Sequence, residues 1–262
     1  MLGGQKVVVV MPGLNVAATL ERTVGAIPPG IVDEVILVDD GSTDETVAVA
    51  SKLGIGCVSH GRNLGYGAAQ KTGYREALAL GADVAVLLHP DFQYDPKLVP
   101  PIASMVVHGG YDVVLAARVL VGGALAGGMP PWKFAANRLL TWAENALIGA
   151  SFSEYHTGYR AYSRRALQAL PLAGNRDDYA FDSEVLAQAV ALGLRVGEIS
   201  CPAHYFDGMQ TITFGPGVRY GLGCLKVAGR SAAARAGLAP SILGGPGLEA
   251  WTEGRWVLRG GE

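Results

Sequence analysis

Side chains able to grip a phosphorylated ligand gather in a few short stretches of the chain. Pro12 and Asn15 follow the run Lys6–Met11, and Asp39, Asp40, Gly41, Ser42 and Asp44 follow Glu34–Val38. His89, Pro90, Asp91, Phe92, Gln93, Tyr94 and Asp95 follow Val84–Leu88, and Arg118 follows Val113–Ala116. Carboxylate and amide oxygens are the hard donors that Mg2+ or Mn2+ takes, and a guanidinium fits phosphate oxygens. Brought together, these residues have the chemistry to hold a metal-bound diphosphate.

Each stretch alone also has a structural reading. Asp40-Gly41-Ser42-x-Asp44 has the composition of a turn and a helix N-cap. Asp91 could cap a helix opening near Pro96. Gly65-x-Gly67-x-x-Gln70 is half a dinucleotide fingerprint, lacking the third Gly and a long preceding strand. Cys201-x-x-His204 is half a zinc site with no second half nearby. No G-x-S-x-G, H-E-x-x-H or G-x-x-x-x-G-K-[ST] motif occurs.

These stretches meet only if the intervening elements set strand ends side by side. Short β-branched runs at Lys6–Met11, Glu34–Val38, Ile55–Ser59, Val84–Leu88 and Val113–Ala116 alternate with helical patterns at 17–26, 44–53, 67–80 and 96–107. That alternation predicts a parallel sheet with helices on both faces. Ligands of such sheets bind beyond the carboxyl ends of the strands, where all the stretches above fall. The second half reads as a Gly-rich loop at 121–131, an amphipathic helix at 132–148, strands at 159–162 and 195–199, and helices at 181–192 and 214–234. On the helix at 132–148, Lys133, Asn137, Arg138, Thr141, Glu144 and Asn145 share one face. With Trp132 and Trp142 it could touch a membrane surface or simply pack over the sheet. The tail from 236 to 262 reads as irregular.

Composition excludes several classes. The chain has 262 residues, 50% hydrophobic and 17% charged, which excludes a disordered chain. Its net charge of −2 lacks the basic footprint of a nucleic-acid binder. Cys57, Cys201 and Cys224 are odd in number and scattered, which fits a reducing compartment. The first residues lack a signal-peptide core, and no uncharged apolar stretch reaches about 18 residues, so no spanning helix is expected. The expected location is cytoplasmic, or peripheral at the inner face of the membrane.

Taken in order, Pro12-x-x-Asn15, Val38-Asp39-Asp40-Gly41-Ser42-x-Asp44, Asn63-x-Gly65-x-Gly67 and Asp91-x-Gln93 resemble glycosyltransferase family 2. Ala117-Arg118, Trp132-Lys133 with Asn137, and Thr157-Gly158-Tyr159-Arg160 resemble its dolichol-phosphate-mannose-synthase-like branch. The resemblance covers residues 6–230 and is tightest in the first 100. It implies an α/β GT-A (Rossmann-like) fold, a mostly parallel central sheet with helices on both faces. It divides the chain into one domain at 1–235, with a nucleotide-sugar half at 1–118 and an acceptor half at 119–235, followed by the tail. The implied activity is metal-assisted, inverting transfer from a UDP- or GDP-sugar to a lipid phosphate or a saccharide.

The resemblance also assigns roles. Pro12, Asn15 and Asp39 take the nucleoside, Asp40 a loop or ribose contact, and Gly67 part of the substrate-binding loop. The family's D-x-D motif falls on His89-Pro90-Asp91, which makes Asp91 the ligand of Mg2+ or Mn2+, with Gln93 and a late His204 beside it. Arg118 and Lys133 match phosphate-binding positions, and Arg160 matches a cation that offsets charge on the leaving diphosphate. Asp182 or Glu184 would supply a base if the acceptor is a hydroxyl; a phosphate acceptor needs none. Both could equally be first-turn acids of a helix. Two departures stand out: His89 replaces an acid, and Val16 stands where many members carry Glu. The implied partners are a nucleotide-diphosphate sugar and a polyprenyl-phosphate or saccharide acceptor. Membrane contact and a homo-oligomer are left open.

Overall fold

In a computed structural model, residues 1–120, 123–202 and 214–260 are described. The first half runs β1 (Val7–Gly13), α1 (Ala17–Gly25), β2 (Glu34–Asp39), α2 (Thr46–Lys52), β3 (Gly56–Ser59), α3 (Tyr66–Ala79), β4 (Val84–Leu87), α4 (Val99–Val107) and β5 (Val113–Ala117). The second runs α5 (Gly123–Ala126), α6 (Pro131–Ile148), β6 (Arg160–Ser163), α7 (Arg164–Ala169), α8 (Phe181–Ala191), β7 (Val196–Ser200), α9 (Phe214–Arg235) and β8 (Arg255–Leu258).

All eight strands join one sheet in the order β7-β5-β6-β4-β1-β2-β3-β8. Strand β1 is central, and its valines are buried on both faces: Val8 and Val10 enter one core, Val7, Val9 and Met11 the other. A continuous apolar run is what a strand covered on both sides requires. Because β1 pairs in parallel with β2 on one side and β4 on the other, the chain leaves β1 and β4 in opposite directions. That reversal opens a crevice at their carboxyl ends, the usual ligand position in open α/β sheets.

The sheet departs from the expected parallel pattern at two strands. Strand β6 runs antiparallel between β4 and β5. Arg160, its first residue, pairs with Leu87 at the end of β4, so the chain re-enters the sheet from the carboxyl edge. The tail expected to be irregular contributes β8, antiparallel to β3. Trp256 packs over Gly56 and donates Nε1–H to Glu76 Oε2 at 2.7 Å, while Trp251 donates to Thr72 at 2.9 Å. This edge strand depends on a partner about 200 residues earlier in the chain rather than on a local turn signal; β3 offers it an open edge. Within the stretch expected to be a loop, Gly123–Ala126 is helical, and α7 follows β6 through a Ser163 cap that accepts the Ala166 N–H at 3.1 Å.

Candidate active site

At the ends of β1 and β2, side chains tie the loops to one another. Asn15, at φ +55°, donates its N–H to Ser42 Oγ at 2.8 Å and accepts the Thr43 N–H on Oδ1 at 2.8 Å. Asp39 accepts from the Ser42 N–H at 3.0 Å and the Ser59 hydroxyl at 2.9 Å. Asp40 accepts the N–H groups of Leu64 at 2.8 Å and Gly65 at 3.0 Å, and lies 2.7 Å from His60 Nδ1. Asp44 accepts the N–H groups of Thr46 at 3.0 Å and Ala17 at 3.1 Å, the first residues of α2 and α1, whereas the N-cap position of α2 falls on Glu45. Pro12 closes the group in the last turn of β1 and is half-buried.

Gly67 differs from its expected place in a substrate loop. It is buried, its N–H donates to the Asp177 carbonyl at 2.7 Å, and a Cβ there would collide with the Arg176 carbonyl oxygen. The glycine is needed because the chain at 176–177 crosses directly over the start of α3.

Beyond β4, Asp91 and Gln93 share a tight loop. Asp91 Oδ1 accepts the Gln93 N–H at 3.0 Å, and Phe92 between them sits at φ +59° beneath the Arg22 guanidinium, 3.7 Å away. Oδ2 of Asp91 takes no hydrogen bond among the described residues, and the residue is half-exposed. A carboxylate oxygen presented in this way fits a hard divalent cation. His204 lies outside the described residues.

His89 turns toward the interior of the site. Its Nε2 lies 2.9 Å from the Tyr66 hydroxyl, which donates to Asp182 Oδ2 at 3.2 Å. Gly158 makes room for the ring, since a Cβ there would collide with His89 Nε2. Burial lowers the His89 pKa, although Asp91 and Asp182 favour its protonated form. Gln70 donates to Asp182 Oδ1 at 3.1 Å, and Tyr74 in turn donates to Gln70 at 2.7 Å. Burial also raises the Tyr66 pKa well above its ordinary value, so its hydroxyl remains a donor. The motif reading gave no role to Tyr66 and placed Gln70 only in a half fingerprint; the clue to both was the Gly65-x-Gly67-x-x-Gln70 stretch that holds them.

Arg160 departs from its expected catalytic role. It is fully buried. Its Nε donates to the Thr157 carbonyl at 2.9 Å, and its two terminal nitrogens donate to the carbonyls of Asp182 at 3.1 Å and Tyr155 at 2.6 Å. Its Nη1 lies 3.7 Å from Asp182 Oδ1. Burial opposes its charge most strongly, yet Asp182, Tyr162 and Tyr66 together outweigh burial and the net pKa rises. Arg160 is thus an internal clamp that joins the 155–157 loop to the start of α8. Asp182 and Glu184 are also separated: Asp182 faces this network, whereas Glu184 accepts the Arg176 N–H at 2.7 Å. Residues two apart on a helix point to different sides.

Arg118 likewise has an internal partner. Its Nε donates to Glu154 Oε1 at 3.0 Å, a terminal nitrogen bonds the same oxygen, and another contact reaches the His156 carbonyl at 2.7 Å. Its backbone N–H adds a bond to Glu154 Oε2 at 2.8 Å, and Asn137 donates to Oε1 at 2.9 Å. Burial pushes the Glu154 carboxyl up, but Arg118 outweighs it and holds the pKa below its ordinary value. The expected phosphate contact is therefore a buried ion pair in this structure. Lys133 lies in the first turn of α6 beside Trp132, and burial lowers its pKa.

Helix α6 is turned around relative to a simple surface helix. Thr141 and Glu144 of its polar face are buried, while Leu139 and Trp142 are 67% and 69% exposed. The polar stripe faces the loop at 149–159, and apolar residues face outward.

An open α/β sheet with acidic loops gathered at its topological reversal defines a GT-A glycosyltransferase fold. Crystal structures of glucosyl-3-phosphoglycerate synthase from Mycobacterium tuberculosis share it. With the complex of that enzyme with Mn2+ and UDP-glucose, the TM-score is 0.66 at 24% identity, covering 91% of this chain and 81% of that one. Residues 8–170 match the family model described as Glycosyl transferase family 2, and the chain belongs to that family. It is similar to the UDP-N-acetylglucosamine–dolichyl-phosphate N-acetylglucosaminyltransferase of Methanococcus voltae, at 26% identity over 215 residues, 76% of this chain and 85% of the relative. It is also similar to the polyprenol monophosphomannose synthase of Mycolicibacterium smegmatis, at 26% over 204 residues, 74% of this chain and 76% of the relative. These relatives place it in the dolichol-phosphate-mannose-synthase-like branch. Among the described residues, no helix is long and apolar enough to cross a membrane.

Proposed function

We propose that this chain is an inverting hexosyltransferase that takes a sugar from a UDP- or GDP-sugar and delivers it to a polyprenyl phosphate. The observation that carries this reading is Asp91, held by its own loop at the end of β4 beside the reversal at β1, with Oδ2 taking no hydrogen bond among the described residues. Asp91 would hold Mg2+ or Mn2+, with Gln93 and His204 as further candidate ligands. When bound, such an ion neutralises charge on the departing diphosphate. Pro12, Asn15, Asp39 and Asp40 shape the nucleoside end, the last three by fixing the loops through the hydrogen bonds described above.

A phosphate acceptor is already ionised and can attack the anomeric carbon from the face opposite the diphosphate without a base. The surroundings of Asp182 favour that acceptor: both its oxygens accept hydrogen bonds, from Gln70 and Tyr66, and Arg160 stands beside it. A saccharide hydroxyl would instead need a free carboxylate. The two relatives named for dolichyl-phosphate and polyprenol products support the same choice. Contact with a membrane surface is supported by exposed Trp132, Leu139 and Trp142 on α6 and Val218 and Leu222 on α9, two helices that pack together. Such a contact would place the chain at the inner face of a membrane.

The test is thermal melting with a panel of nucleoside diphosphates, with and without Mn2+, followed by nucleotide release with polyprenyl phosphate present. A ligand at 100 times its dissociation constant adds about 2.7 kcal/mol of stability. The expected result is a metal-dependent shift with UDP or GDP, and release that requires the lipid. No shift with any nucleotide would refute the donor site. Nucleotide binding with no sugar transfer would favour a second reading, a non-catalytic nucleotide-sugar binder, which the histidine at position 89 motivates. Flotation with anionic liposomes tests the membrane contact.

A further inference from the structure

Apart from the crevice, one buried cluster joins three elements distant in sequence. Glu144 on α6, His156 in the loop before β6, and Cys224 on α9 bring a carboxylate oxygen, a ring nitrogen and a thiol within 4.8 Å of one another. Glu144 and Cys224 are fully buried, and the His156 side chain is 7% exposed. His156 Nε2 and Glu144 Oε2 lie 2.8 Å apart, yet not in hydrogen-bonding geometry, so neither atom has a hydrogen-bond partner among the described residues. Unsatisfied buried groups of this kind are rare and costly. A cation between them and the sulfur would satisfy both.

We infer that Glu144, His156 and Cys224 form a Zn2+ site separate from the Asp91 loop. The donor types select the metal: imidazole and thiolate suit Zn2+ and poorly suit Mg2+ or Mn2+. Burial pushes the Cys224 thiol up to about 12, so at neutral pH it is a thiol until a metal displaces its proton. The ligands are held in advance. Ser183 donates to the other Glu144 oxygen at 2.7 Å, the kind of support that orients a metal-bound carboxylate. The loop carrying His156 is fixed on α6 by Asn145, which donates to the Phe152 carbonyl at 2.8 Å and accepts the Phe152 N–H at 2.9 Å. Three protein ligands leave the fourth position of a tetrahedral ion for water. The ion would pin α9 and the 149–159 loop to α6, directly behind the start of α8 where Asp182 sits.

The test is metal analysis of the full chain after chelation, dialysis and incubation with Zn2+, beside a Co2+-substituted sample. The expected result is stoichiometric zinc in the unsubstituted protein and in Asp91→Ala, with zinc falling to background in Cys224→Ala and His156→Gln. Zn2+ should raise Tm by several degrees where Mn2+ without nucleotide does not. Co2+ should give a thiolate-to-metal absorption band that Cys224→Ala lacks. No stoichiometric zinc, or no thiolate band in the unsubstituted protein, would overturn the site and leave a buried Glu144–His156 ion pair. Those two readouts stand even if a variant fails to fold, and neither depends on glycosyl transfer.

Discussion

The Tyr66 hydroxyl lies 2.9 Å from His89 Nε2, so the histidine standing at the first position of the D-x-D motif is coupled to a tyrosine of α3. The same hydroxyl reaches Asp182 at 3.2 Å, which links the loop after β4 to the start of α8. Histidine can make this link because a ring N–H at Nε2 donates to the phenol oxygen, whose own single proton goes to Asp182, whereas the acid usual at this position would have no proton to give.

Tyr66→Phe should therefore loosen both sides of the site without opening a cavity. The hydroxyl's contacts with both His89 and Asp182 are lost; each partner left unsatisfied costs about 1–3 kcal/mol, and at this size Tm should fall by a few degrees or more. Turnover should fall more than nucleotide affinity. Melting curves and separate kcat and KM values check this; an unchanged Tm together with unchanged kcat would remove the link from the mechanism.

The Arg118–Glu154 pair makes a prediction that separates a structural from a phosphate-binding arginine. Arg118→Met should cost about 3–5 kcal/mol because it strands a buried carboxylate. Adding Glu154→Leu should restore most of that loss. Chemical denaturation measures it. A purely phosphate-binding arginine would instead weaken substrate binding while leaving unfolding unchanged.

Asp182 and Glu184 should behave differently. Asp182→Asn keeps the size of the side chain but removes the charge beside Arg160, so stability and turnover should both drop. Glu184→Gln should leave turnover within about two-fold, since its side chain bonds the Arg176 N–H away from the site. If the acceptor were a hydroxyl, Asp182→Asn would cut kcat by about 10²–10⁴. Steady-state rates with lipid-phosphate and saccharide acceptors distinguish the two.

Asp112 sets an acid limb of stability. Burial pushes its carboxyl up, but Arg165, the Arg195 N–H and Ser163 outweigh burial and hold the pKa below its ordinary value of 3.8. The folded state thus binds the proton less readily than the unfolded state. Its contribution is complete well above pH 3.8 and is lost as the pH falls from there through the folded value. Asp112→Asn should lower stability at pH 7 and flatten the loss below pH 4. Arg165→Ala should matter less, because that guanidinium is 70% exposed and exposed pairs contribute about 0–1 kcal/mol. Melting temperature against pH checks both.

Much of the first half is legible in the sequence. Runs such as Val7–Val10 declare a strand covered on both faces, and the order of the polar stretches after β1, β2 and β4 is set by the chain. Asp44 at the start of α2 and Asp91 in its tight loop each accept a backbone N–H two residues on, so local chemistry sufficed for those turns.

Partners distant along the chain were decided only by folding. Arg118 meets Glu154 across 36 residues, and Arg160 meets Asp182 across 22, so an unpaired reading of either arginine looked like a phosphate ligand. Helical periodicity exposed a polar stripe on α6, but only the loop at 149–159 turned Thr141 and Glu144 inward and left Trp142 outside. Strand β8 needed the open edge of β3, and Gly67 needed the chain at 176–177 above it. Patterning along a chain dictates which segments can be helix or strand; which charge ends beside which, and which face meets solvent, depends on contacts that exist only once the sheet has closed.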